Sequence, residues 1–235
     1  MRKIFLLLVS FLIYGMLPAQ FKINDTLFFV REINGSYYQC VFLDTNKNSR
    51  FYSSVSDFTF TRSDRDTYNS TLSYLYSQKL HPVKQDLTNI PREWVMLQRY
   101  KGRMYVYSPA DYYSHYKVKI TDSLWIDWTG EGPEATYIRK FTKPTASSYQ
   151  FTLQSQMFPP REILIRYIDE EKGIALFETK QYNLAGKMKE ISYCLMADAK
   201  KMRQIPLLVN YCAISKGDEL EFDKIDYAEI IRHLH

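Results

Sequence analysis

Between Trp94 and Met196 the chain is a succession of short segments rich in Tyr, Phe, Ile, Val and Trp, each closed by a turn signal. Lys101-Gly102, Thr121-Asp122-Ser123, Gly130-Glu131-Gly132-Pro133, Lys143-Pro144, Pro159-Pro160, Glu171-Lys172-Gly173 and Ala185-Gly186 fall between them. No long helical pattern interrupts the series, and strands repeated at such short spacing define an antiparallel meander. Nine strands are predicted: 94–100, 103–107, 115–120, 124–129, 134–141, 148–154, 162–168, 174–179 and 189–196. Several alternate strictly. Tyr149, Phe151 and Leu153 oppose Gln150, Thr152 and Gln154, while Ile163, Ile165 and Tyr167 share a face, as do Ile191, Tyr193 and Leu195. A period of two puts one face of each strand on a core.

The segments before the meander are more varied. Thr26–Ile33 and Ser36–Asp44 flank Asn34-Gly35, the strongest short hairpin signal, and Arg50–Thr61 is predicted as a third strand. From Ser63 the spacing changes: Tyr68, Leu72, Leu75 and Tyr76 predict a helix ending near Leu80. The Pro-containing stretch 81–92 is a connector and the one place where a sub-boundary could fall. After the meander, Leu207–Ala213 suggests a last strand. Asp226 and Glu229 then offer a capping box for a short terminal helix. The fold class is therefore mainly β: a barrel-like antiparallel meander with one inserted helix and a short C-terminal helix, the alternative being a two-sheet β-sandwich. A chain of 235 residues can bury such a core without staples. The 20 Tyr and 14 Phe belong first to sheet packing.

Residues 1–20 carry Arg2 and Lys3, an apolar run from Ile4 to Met16, and Leu17-Pro18-Ala19 as a cleavage point. That pattern predicts a secretory signal peptide, leaving residues 21–235 as one exported β-rich domain, periplasmic or extracellular. No later run is long enough for a membrane span. Without Arg2 and Lys3 the 31 basic residues fall to 29, against 26 acidic ones, a net +3. So balanced a charge gives no reason to expect nucleic acid as a partner. Export permits a disulfide, and Cys194 with Cys212 is the pair to expect if one forms, but the spacing suggests no framework and buried free thiols are the preferred reading. No metal-ligand spacing or phosphate-binding motif is present, and no cofactor is expected.

A meander of this length leaves two edges unless it closes. Export, the meander, an early Trp94 and a closing helix make the chain resemble the lipocalin-like (calycin) group of secreted barrels. Where lipocalins carry a Gly two residues before the first-strand Trp, this chain has Arg92, so only the architecture and an internal cavity carry over from the resemblance.

Two groups of residues suggest binding. On a strand Trp125 and Asp127 share one face, the ring-plus-carboxylate pairing used to hold sugars, while Leu124, Ile126 and Trp128 take the other. In the plainer reading, Trp128 fills the core and Trp125 covers a sheet edge. Tyr105, Tyr107 and Tyr113 could line a cavity mouth, or be ordinary cross-strand packing. No catalytic residue is assigned: Ser114, His115 and Asp111 form no recognisable triad, and Asp127 with Glu131 or Glu134 is only formally a glycosidase pair. The expectation is an exported, non-enzymatic protein holding a small apolar or amphipathic ligand, hydrophobic or carbohydrate, in an aromatic-lined barrel. A cell-envelope protein contacting a protein or glycan partner through surface Tyr and Trp is the alternative, and a glycoside hydrolase the third.

Overall fold

A computed structural model describes residues 28–34, 37–111, 115–154, 160–183, 185–212 and 219–234. Its strands are β1 (Phe28–Asn34), β2 (Tyr37–Asp44), β3 (Glu93–Tyr100), β4 (Arg103–Ser108), β5 (Lys117–Ile120) and β6 (Leu124–Thr129). They continue with β7 (Gly132–Thr145), β8 (Ser148–Gln154), β9 (Arg161–Asp169), β10 (Ile174–Tyr182), β11 (Met188–Asp198) and β12 (Leu207–Cys212). The helices are α1 (Arg50–Val55), α2 (Arg62–Ser77) and α3 (Tyr227–His233). From β5 to β11 each strand pairs antiparallel with the next, and β11 pairs with β3. Antiparallel bridges from Glu93, Trp94 and Val95 to Lys119, Val118 and Lys117 then close the ring. The result is a closed antiparallel barrel of 8 strands rather than an open sandwich.

The alternation read in the sequence is the wall of this barrel. Trp94, Val118, Trp125, Ile138, Phe151, Ile163, Phe177 and Met196, one from each strand, form a single buried cluster. Rings interlock at its centre, with Trp125 5.3 Å from Phe151 and 6.0 Å from Phe177, and Trp94 5.1 Å from Phe177. Leu87 and Ile90 of the 81–92 connector join this cluster, and Trp94 Nε1 donates to the Pro91 carbonyl at 3.0 Å.

Beyond Val95 the closing strand changes partner. Leu97–Tyr100 pair with β4, β4 runs parallel to β12, and β12 is antiparallel to β2 of the β1–β2 hairpin. One 12-stranded sheet thus contains the barrel and a four-strand extension. Its mixed pairing is why the meander pattern, which places β4 in the barrel, misses this branch.

The expected strand over Arg50–Thr61 is instead helix α1 followed by an extended strap at residues 57–61. Ser49 caps α1 by accepting from Tyr52 N, and Tyr52 and Val55, three apart, are its buried pair. That spacing is helical, so a strand period does not describe this stretch. Thr61 caps α2 through a full capping box with Asp64. Helix α2 does not plug the barrel: Leu75, Leu72 and Tyr68 pack on its outer wall against Leu124, Ile126, Ala135 and Tyr137. Among the described residues no helix is long and apolar enough to cross a membrane.

Candidate functional site

Tyr105 and Tyr107 share a face as expected, but on the extension. They are buried with Val41 and Leu208 and packed against Leu220 and Phe222. Tyr107 OH is hydrogen bonded to Glu219 and accepts from Asn210 Nδ2 at 3.1 Å, so the ring is structural there. Burial, then the Glu219 carboxylate, push its pKa far above that of a free tyrosine. Tyr113 lies outside the described residues. Cys194 and Cys212 are free thiols, the unpaired one of the two states considered from sequence. Cys194 projects into the barrel from β11, opposite Phe177, whereas Cys212 sits on β12 opposite Gln39, so the two face different cores.

Trp125 and Asp127 do share a face, and it is the inside of the barrel. Asp127 Oδ1 accepts from Trp125 Nε1 at 3.0 Å and from Tyr116 OH at 2.8 Å, while Oδ2 receives Arg161 Nη2. Trp125 is wholly buried, so it does not cover a sheet edge, and Trp128 packs on the outer wall. Glu134 stands opposite Asp127 in the β6–β7 register. Burial and then the Asp127 charge raise the Glu134 carboxyl above its usual range. Burial and Asp127 likewise push the Cys194 thiol up to about 12, so it stays protonated. For Arg161 burial works against the charge, but Asp127 outweighs it and the guanidinium is held more firmly protonated. The Asp127 and Arg161 charges are thus matched to each other, the condition for burying them at tolerable cost. A nucleophile or acid–base pair needs access to a substrate; Asp127 is instead buried with three donors on its two oxygens.

Open space lies on the outside of the barrel. Two cavities of about 300 and about 350 Å³ adjoin there, sharing Ser54, His115 and Lys117. Because residues two apart on an extended strand point the same way, His115 and Lys117 both face outward, while Tyr116 between them reaches Asp127 inside. Helix α1 and the strap form the opposite side. Lys117 is 6% exposed, and its ammonium donates to the Asp57 carbonyl. It also lies 4.5 Å from the Trp128 ring centre and 4.8 Å from that of Phe58. Burial lowers its pKa to about 8 against the opposing pull of Asp57, Asp64 and Glu93. Burial and the Lys117 charge bring His115 down to about 4, so the imidazole is neutral at physiological pH.

The two cavities differ in lining. One has Phe51, Val55 and Pro109 with Arg50 at its side. The other has Asp57, Asp64 and Glu131 with the hydroxyls of Thr59, Thr61 and Thr129, over Trp128. Sequence reasoning passed over Lys117 as a site residue. The signal available was His115, Lys117 and Lys119 alternating along the approach to β5 and β5 itself, but nothing in the sequence reveals that α1 and the strap cover that face. Among the described residues no cluster of His, Cys, Asp or Glu could hold a metal ion.

The architecture defines a small closed β-barrel with a packed centre, a strand-built extension and a cleft on its outer wall. The chain matches no known protein family, no curated protein and no solved structure.

Proposed function

We propose that this is an exported, non-enzymatic binding protein of lipocalin-like architecture that carries a small amphipathic ligand. The ligand would sit in the cleft between the barrel wall and α1, not at the barrel centre. The supporting observation is the pair of adjoining cavities, each within the usual size range of a small-molecule site. The centre is occupied by Trp94, Trp125, Phe151 and Phe177, all essentially without exposure. Export to the periplasm or outside the cell is the reading supported by the charged, apolar and small-residue order of residues 1–20, the pattern of a signal peptide.

Native mass spectrometry of the protein purified gently from its own source tests both parts. Expected are a chain starting at Gln20 or Phe21 and an added mass that leaves on denaturation. Ser54 is exposed and lines both cavities. Filling the cleft with Ser54→Trp should remove the added mass without unfolding the protein. A mass equal to the bare chain would overturn the binding reading, and an uncleaved N-terminus the export reading.

A further inference from the structure

The two halves of the cleft sort chemistry by position. From that sorting we propose that the ligand is a glycoside-type amphiphile, its polyhydroxylated head in the Asp57–Glu131 cavity and its alkyl or acyl tail in the Phe51–Pro109 cavity. This rests on the cleft being the binding site.

Three observations favour that head group. The polar cavity brings Asp57, Asp64 and Glu131 together with Thr59, Thr61 and Thr129. The Thr61 hydroxyl is engaged in the α2 cap, donating to Asp64 Oδ2 at 2.8 Å and accepting from Asp64 N at 3.1 Å, while Thr129 Oγ1 accepts from Glu131 N at 3.2 Å and keeps its own proton to give. Ionised carboxylates only accept hydrogen bonds, whereas hydroxyls both give and accept, so this wall complements a ligand rich in O–H groups. Its charge then disfavours an anion: three carboxylates face one ammonium, and the neighbouring His115 is neutral. A cationic head would seek the aromatic faces, yet the Phe58–Trp128 pair is already taken by Lys117 Nζ. The tail's place follows from Phe51, Val55 and Pro109, reached across Ser54 without leaving the cleft.

Asp57 and Asp64 are each held by a local partner. Asp57 Oδ1 accepts from Thr59 N at 2.8 Å, and Asp64 Oδ2 accepts from Thr61 N at 2.9 Å. These short-range bonds hold the acids in place. An Asn at 57 can still accept from Thr59 N, so Asp57→Asn removes charge while keeping the turn.

The test is calorimetric titration of the purified protein with octyl glucoside below its micellar concentration. Parallel arms use methyl glucoside, octanoate and octyltrimethylammonium. The expected result is octyl glucoside binding about tenfold or more tighter than each of the other three. Asp57→Asn and Glu131→Gln should each weaken it by about tenfold, the scale of one hydrogen bond to a charged group, and Ser54→Trp should abolish it. Equal or tighter binding of octanoate or octyltrimethylammonium, lost in Ser54→Trp, would overturn the glycoside head and leave the cleft reading standing. Octyl glucoside binding indifferent to all three substitutions would overturn the placement. Binding by none of the four probes, with a native mass unchanged by Ser54→Trp, would overturn inference and binding reading together.

Discussion

A carboxylate taken inside a barrel must bring its donors with it, and Asp127 has three, from Tyr116, Trp125 and Arg161. Replacing it by Ala strands the buried Arg161 guanidinium, and stability measured by urea unfolding should fall by roughly 3–5 kcal/mol. A sugar-binding or cleaving role for Asp127 would show instead as lost activity at unchanged stability. His115 permits a pH prediction. Its folded-state pKa, about 4, lies below the free value of 6.5, so the unfolded chain takes up the proton first as pH falls. The contribution is therefore complete above pH 6.5 and is lost between pH 6.5 and about 4. On the order of 3 kcal/mol should disappear over that window in the wild type. His115→Phe should show a correspondingly shallower loss, and equal slopes would mean that the imidazole is solvated. The pairing of Trp125 with Asp127 on one face was legible from strand period alone. Arg161, from a strand 34 residues later, was not, because only the closed wall brings the two together.

At the scale of elements, most of the meander was readable because each strand carries its own evidence: two-residue alternation and a turn signal at each end. The Arg50–Thr61 stretch misled because a six-residue helix is too short to display a period of 3.6 over more than one repeat. Its cap is the surer sign: Ser49 is bonded to Asp44 and accepts from Tyr52 N. Helix α2 begins at a capping box, and Thr61→Ala should cost about 1 kcal/mol in thermal or urea unfolding. The turn between β6 and β7 makes a sharper case. Gly132 holds φ at +105°, and an added Cβ would meet Thr67 Oγ1 of α2 at 3.2 Å. Gly132→Ala should therefore destabilise by more than 1 kcal/mol, combining backbone strain with displacement of α2 from the wall. A neutral effect would show that the helix is not held against this turn.

For the whole molecule, β3 is the common member: its first half closes the barrel and its second half carries the extension. Barrel and extension should consequently unfold together. All three Trp lie on barrel strands, two of them on β6, whereas the far-ultraviolet signal reports both parts. Coincident fluorescence and circular dichroism transitions are expected, and a separate dichroism step would make the extension an independent unit. Which residues face a core, where turns fall and which segments are strands were determined by the sequence itself, since backbone sterics and side-chain period act over a few residues. Closure through β3 and β5, the parallel β4–β12 pairing and the burial of Lys117 beneath the strap were decided only by tertiary structure. Each depends on segments far apart in the chain meeting at one edge or one wall, and no local pattern of residues encodes that meeting.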